Sequence, residues 1–195
     1  KGKKNQPALV IKTSGATYSV TDRFGIQNKI DQIREMFSAE KHKLPSVYLI
    51  HGDLTNAEMN ALYNHKKIKA MLSFTKAEGF GRPLLEFTTT GKPVIAPHYS
   101  GPADFLNKEY ITELPGGLTP IHATAQNDFL IGDAKWFTPD YKYASKVFKE
   151  IVKHYNKFLT RSRKHIKYSN DNFSSLAVTK HYDELFKYID TKIGS

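Results

Sequence analysis

Cysteine is missing from this 195-residue chain, which excludes disulfides, thiolate metal sites and thiol nucleophiles and agrees with a reducing compartment. Long apolar runs are missing too. Nothing approaches the roughly 18 uncharged apolar residues of a membrane span, and no secretory signal opens the chain. There is no Asp-x-Asp metal motif, and the eight histidines show no paired ligand spacing. Acidic residues are scarce relative to basic ones: 29 Lys and Arg against 19 Asp and Glu give a formal charge of +10. That balance fits either an anionic partner or lysines on solvated faces. No internal repeat occurs, and no low-complexity tract beyond a short Lys-rich start.

The remainder is the composition of an ordinary globular protein, 39% hydrophobic, 12% aromatic and 25% charged. Twelve Phe and eleven Tyr supply more burial than disordered chains carry. The length fits one domain, or one large domain with an appendage, around a continuous core. A start at Lys1 in place of Met points to an excised piece of something longer or to a trimmed chain. The expected location is cytoplasmic.

Along the chain, short apolar runs alternate with helical patterns. The polar stretch Lys1–Gln6 precedes a buried strand, Ala8-Leu9-Val10-Ile11, and Thr13 to Asp22 is turn-rich. From Gln27 to Phe37, Ile30, Ile33 and Phe37, with Met36 beside them, recur at helical spacing. A second strand, Ser46 to Ile50, stops at His51-Gly52; Thr55 and Glu58 then form a capping box for a helix through Leu62 and Tyr63. Ala70 to Phe74 is a third strand, Leu84 to Thr90 a helix, Pro93 to Ala96 a fourth strand, and Ser100-Gly101-Pro102 opens a short helix reaching Leu106. Tyr110 to Phe137 is broken by Gly116-Gly117 and Pro120 and reads as irregular with one or two short strands. A long helix is expected from Tyr141 to about Tyr168, its apolar face carrying Phe148, Ile151, Val152, Tyr155, Phe158 and Leu159. A final helix, from Ser174 or Ser175 to Ile189, carries Leu176, Val178, Tyr182, Leu185 and Phe186. This alternation predicts an α/β protein with a doubly wound parallel sheet, ligands sitting outside the carboxyl ends of the strands and Ala70–Phe74 central.

The richest stretch runs from Thr75 to Glu86. An apolar strand feeds Lys76-Ala77-Glu78, then the Gly79-Phe80-Gly81 turn, Arg82, a proline suited to a first helical turn, and Leu84-Leu85-Glu86. Glycines let a backbone approach an anion closely and a helix start offers unpaired N–H groups, so the expected ligand carries phosphate. Glu78 sits at the mouth of the loop, and Glu86 one turn into the helix, where a carboxylate accepts hydrogen bonds from a diol such as a ribose. On spacing alone a second reading stands beside this one, with Glu78 on the surface and Glu86 placed for the helix dipole.

The residues around the two glutamates carry a resemblance. Thr75 to Glu86, then Gly91-Lys92-Pro93-Val94-Ile95 and Ser100 to Leu106, closely resemble the donor-binding domain of GT-B glycosyltransferases, in the large retaining family marked by Glu, seven residues, Glu. Leu9 to Lys12, Val47 to Thr55 and Trp136-Phe137-Thr138-Pro139-Asp140 are similar to flanking parts of that domain, so the likeness spans about 170 residues. It implies a Rossmann-like nucleotide-sugar-binding domain over residues 1–140, C-terminal helices packed on or beside it over 141–195, and an acceptor-binding N-terminal domain outside this chain.

In that family the first glutamate meets the transferred sugar and the second holds the nucleotide ribose. Carried over, Glu78 is the catalytic residue and Glu86 binds the donor. Backbone amides around Phe80 to Leu84, in the loop that also holds Gly79, Gly81 and Arg82, meet the diphosphate or sugar; Pro83, lacking an N–H, shapes the helix start. His51, where the family lodges the nucleobase, either lines that pocket or packs as a lone strand-end histidine. Lys76 and Arg82 are phosphate partners or solvated cations. The resemblance implies transfer to an acceptor hydroxyl with retention, no metal and no cofactor, the nucleotide-diphosphate sugar being a substrate. It also places a diphosphate-clamping Arg and Lys upstream of Leu9, and their loss weakens donor binding by roughly 1.5–3 kcal/mol each. The piece alone is therefore expected to be inactive.

Two other classes compete. A dinucleotide oxidoreductase is disfavoured because no Gly-x-Gly-x-x-Gly follows the first strand. A nucleic-acid-associated module, including a phage-type transferase that sugars DNA bases, is motivated by Lys142, Lys146, Lys149, Lys153 and Lys157, a one-sided helical stripe without interleaved aromatics, and is not favoured.

Overall fold

The computed structural model describes residues 7–13, 21–39, 44–126 and 132–193. The polar start and most of the turn-rich stretch after Thr13 lie outside them. The chain divides into two compact units, Lys1–Ala61 and Leu62–Ser195.

In the first unit, β1 (Leu9–Thr13) and β2 (Val47–His51) pair in parallel from Leu9↔Val47 to Thr13↔His51. Parallel strands need a crossover, which α1 (Asp22–Ala39) supplies. The helix begins earlier than its apolar spacing predicts, and it turns a different face inward. Ile26, Ile30 and Arg34, four residues apart, are its half-buried row, whereas Ile33, Met36 and Phe37 are exposed. Arg34 belongs to that row, its Nη1 donating to the Pro45 carbonyl at 2.8 Å. The capping box forms as expected at the start of α2 (Asn56–Asn64): the Thr55 amide donates to Glu58 Oε2 at 2.8 Å and the Glu58 amide to Thr55 Oγ1 at 3.2 Å.

The second unit is built on three parallel strands, β3 (Met71–Leu72), β4 (Val94–Ala96) and β5 (Thr112–Glu113), in the order β3-β4-β5. The Ala70–Phe74 segment is thus a flank, and β4 is the central strand of the three. Successive β4 side chains feed opposite faces. Val94 and Ala96 pack with Leu84, Phe87, Phe105, Leu106 and Ile111, while Ile95 packs with Leu114, Ala144, Val147 and Ile151. A strand buried on both faces is what a doubly wound sheet requires. The fold is α/β and Rossmann-like, with parallel strands and C-terminal helices.

The first of these faces is covered by α3 (Arg82–Thr88), a helix of 7 residues. Its last carbonyls are closed by three consecutive threonines: Thr88, Thr89 and Thr90 each donate a hydroxyl to the carbonyl three residues back, at 2.6, 2.7 and 2.7 Å. The stretch that reads as irregular contains β5 and an antiparallel hairpin, β6 (Gly116–Pro120) and β7 (Lys135–Pro139), paired from Gly116↔Pro139 to Pro120↔Lys135. Its glycine is structural, since a Cβ on Gly116 would lie 2.3 Å from the Thr138 carbonyl oxygen.

The long C-terminal helix is two helices, α4 (Tyr141–Lys153) and α5 (Tyr155–Phe173), separated at His154 with φ −124° and ψ 37°. The Asp140 side chain caps α4 by accepting from the Tyr143 amide at 2.9 Å. The break lets α4 bury Ala144, Val147 and Ile151 in the second core while α5 runs against α3. Val152, expected on the apolar face, is exposed. The last helix, α6 (Ser175–Ile193), runs past Ile189 and leaves Leu176, Tyr182, Leu185 and Phe186 exposed.

Candidate functional site

The loop from Thr75 to Gly81 leaves the carboxyl end of β3, and the turn at His98–Gly101 leaves that of β4, so both lie where open α/β sheets bind ligands. They are fastened together. The Glu78 carbonyl accepts from Ser100 Oγ at 2.9 Å and from the Gly101 amide at 3.1 Å. Ser100 holds φ 58° and ψ −151°, a region nearly confined to glycine, so this turn is strained. Gly101 permits the contact because a Cβ there would meet the Gly79 carbonyl oxygen at 2.1 Å.

Gly81 enters α3 in the left-handed region, φ 88° and ψ 41°, and its carbonyl accepts from the amides of Leu84 and Leu85 at 2.9 and 3.3 Å. Pro83 sits in the first turn, where its missing N–H costs nothing. Among the described residues no acceptor takes the amides of Phe80, Gly81 and Arg82. Gly81 and Leu84 are buried; Glu78, Gly79 and Phe80 are exposed, the Phe80 ring tilting against Phe105 at 5.2 Å. The loop therefore presents its backbone and Glu78 outward over an apolar footing.

Glu86 does not stand alone. Its Oε1 pairs with Arg82 Nε at 3.2 Å across one helical turn, Arg82 largely in solvent and Glu86 half-buried. Such a pair adds little to stability, but it occupies the guanidinium read from the sequence as a phosphate partner. Nearby, the Tyr63 phenol is pushed above its usual range by burial first and by the Glu86 charge second. Lys76 is likewise engaged: its Nζ lies 3.9 Å from the centroid of the Trp136 ring, and its carbonyl accepts from the Phe137 amide at 3.0 Å. Tyr99 stacks on Phe137 at 5.0 Å. His51 belongs to the first unit, where it ends β2, and its buried Nε2 has no hydrogen-bond partner among the described residues.

Ser100, Gly101, Trp136 and Tyr99 escaped the sequence reading of the site. Ser100-Gly101 stood in a recognisable motif, but nothing local tells that it grips the Glu78 carbonyl. Among the described residues no three His, Asp or Glu side chains converge on one point, and no helix is long and apolar enough to cross a membrane.

Residues 24–119 match the family described as glycosyl transferases group 1. This stretch contains the whole Glu78–Glu86 loop and is similar to that family, in a chain whose fold is a fragment of the GT-B type. Among solved structures, the chain is similar to HepE of Anabaena in complex with UDP, with a TM-score of 0.63 and 11% identity over 93% of this chain and 41% of that one. The complex of HepE with UDP and glucose gives 0.60 and 13% over 93% and 40%, and that with UDP-glucose 0.58 and 12% over 93% and 41%. The chain spans about two fifths of the length of HepE. No curated protein matches it in sequence.

Proposed function

We propose that this chain is the donor-binding half of a retaining, metal-independent glycosyltransferase, with residues 1–140 holding a nucleotide-diphosphate sugar and residues 141–195 supporting them. The observation that carries this reading is the outward-facing Glu78–Gly81 loop beyond β3, followed at Glu86 by a carboxylate on α3, inside the segment that matches the family. Its amides at Phe80, Gly81 and Arg82 are open to a diphosphate, whose developing charge fixed dipoles stabilise as the bond to the sugar breaks. Glu78 stands at the sugar end and steadies an oxocarbenium-like centre. Glu86 takes the ribose hydroxyls, with Arg82 orienting its carboxylate. The proton of the acceptor hydroxyl passes to the departing phosphate or to a base on the acceptor side, and the transfer runs without a covalent enzyme intermediate.

The acceptor is held by a domain outside this chain, so residues 1–195 alone bind donor weakly and transfer nothing; the whole protein is placed in the cytoplasm. HepE was seen with UDP and UDP-glucose, so UDP is the first ligand to test. Calorimetry or ligand-observed NMR with UDP, GDP and ADP should detect at least one, and Glu86→Ala should weaken it. A full-length protein that binds none of the three, or binds equally well after Glu86→Ala, refutes the assignment. Glu78→Gln in the full-length enzyme should lower kcat more than it raises KM. Sugar transfer by residues 1–195 alone would overturn the half-enzyme reading.

A further inference from the structure

A chain of buried polar groups runs beneath the loop. The Asn107 amide donates to His165 Nε2 at 3.2 Å, His165 Nδ1 meets Ser169 Oγ at 2.8 Å, Ser169 Oγ meets Thr88 Oγ1 at 2.7 Å, and Thr88 Oγ1 donates to the Leu85 carbonyl at 2.6 Å. His165, Ser169 and Thr88 are 2%, 2% and 1% exposed, so water cannot substitute for any partner.

Both ends dictate where the protons sit. An amide only donates, so Nε2 must be bare. At the other end Thr88 has one hydroxyl proton, spent on the Leu85 carbonyl; Ser169 must therefore donate to Thr88 and accept from Nδ1. The Nε2 condition demands a neutral imidazole, whose one N–H is then on Nδ1, and the Ser169 condition independently asks for that same Nδ1 proton. A second proton on Nε2 would set one N–H against another, and the contact with Asn107 would have to open.

The two ends are also the two supports of the loop. Leu85 adjoins Glu86 on α3. Asn107 closes the segment that starts at Ser100 and Gly101, the pair gripping the Glu78 carbonyl, with buried Phe105 and Leu106 between. Facing the ring are Tyr110 at 5.9 Å and Tyr168 at 5.4 Å, both edge-on. Lys92 shares a small cavity with it, its ammonium donating to the carbonyls of Tyr63 and His65. Arg161, one turn earlier on α5, donates to Thr112. Among the described residues no carboxylate bonds to His165 that could hold a second proton. Burial accordingly pushes its pKa below the ordinary range.

We propose that His165 is a positioning residue whose neutral Nδ1–H form locks the backbone segments bearing Glu78 and Glu86, so that protonating it loosens the loop and weakens nucleotide binding in mild acid. The inference rests on the donor-binding reading above.

Nitrogen-15 NMR of the imidazole decides the proton chain without any ligand. The ring should hold the Nδ1–H tautomer and stay neutral at pH values where exposed histidines titrate, and the amides of Gly79, Glu86 and Gly101 should shift with the same midpoint. UDP affinity should then fall about tenfold across that transition, the change expected if locking moves the midpoint by one pH unit. His165→Gln, which cannot titrate, should bind more weakly at neutral pH and keep only the acid limb that the UDP phosphate itself sets. An Nε2–H tautomer, an ordinary midpoint, loop amides that ignore the ring, or an acid limb unchanged in His165→Gln each overturn the proposal. Failure of UDP to bind at any pH overturns the donor reading, and with it this role, whatever tautomer the spectra report.

Discussion

Gly81 and Gly79 are two residues apart in one loop, and a methyl group would separate their roles. A Cβ at Gly81 would lie 2.9 Å from Pro102 Cγ and 3.2 Å from Glu78 Cγ, on a backbone at φ 88°. Gly81→Ala should therefore lose about 1–2 kcal/mol in backbone energy alone and displace the Glu78 side chain. Nothing lies within 4 Å of a Cβ at Gly79, so Gly79→Ala should change stability by less than about 0.5 kcal/mol. Paired urea melts and UDP titrations check both. Equal effects would mean that the loop does not brace Glu78 as described. The sequence told that these glycines form a loop, but not which of them is irreplaceable, because that depends on Pro102 and Glu78 arriving from two directions.

At the scale of elements, the ends of helices hold the measurable chemistry. Thr88→Val keeps the shape of α3 but strips the hydroxyl joining Leu85 to Ser169, and should destabilise the fold by about 1–3 kcal/mol in denaturant titration. Asp140→Ala should cost about 1 kcal/mol by uncapping α4. In the capping box, hydrogen bonds from the Thr55 backbone and then its side chain hold the Glu58 carboxyl below its usual range. The stability this contributes is full above the unfolded-state pKa and is lost as pH falls through the lower folded-state value; Glu58→Gln, which still caps, should remove that acid dependence from thermal melts. For His165 the folded-state pKa is also depressed, here below 6.5, so its contribution is complete above that pH and declines as pH falls.

The strands, the capping box and the glycine loop were legible because their signals are local: apolar runs, a Thr-x-x-Glu spacing, a Gly-Phe-Gly turn. The break at His154 was not, since the inward row of α4 and that of α5 continue one another in sequence. The β6–β7 hairpin hid behind Gly116-Gly117 and Pro120, which read as breakers although Gly116 is demanded by Thr138. The outward turn of Ile33 and Phe37 escaped because apolar spacing cannot tell a row that packs from one left in solvent.

For the molecule as a whole, the charge of +10 is the broadest property. Lys142, Lys146, Lys149, Lys153 and Lys157 are all exposed, and the row is interrupted at His154. We expect no duplex DNA binding even at low ionic strength, and no change in UDP affinity when Lys146 and Lys153 are reversed to Glu; a steep, counterion-driven salt dependence of DNA binding would contradict this. The candidate site was legible where one stretch of chain supplies it and illegible where distant segments complete it, as Ser100, Trp136 and His165 do. Trp136 is the only tryptophan in the chain, and the ammonium of Lys76, two residues before Glu78, rests on its ring. Indole emission is sensitive to a nearby positive charge. The protein thus carries a built-in optical gauge at the mouth of its loop: any ligand that draws Lys76 away should change the colour and intensity of the whole chain's tryptophan fluorescence, with no label attached.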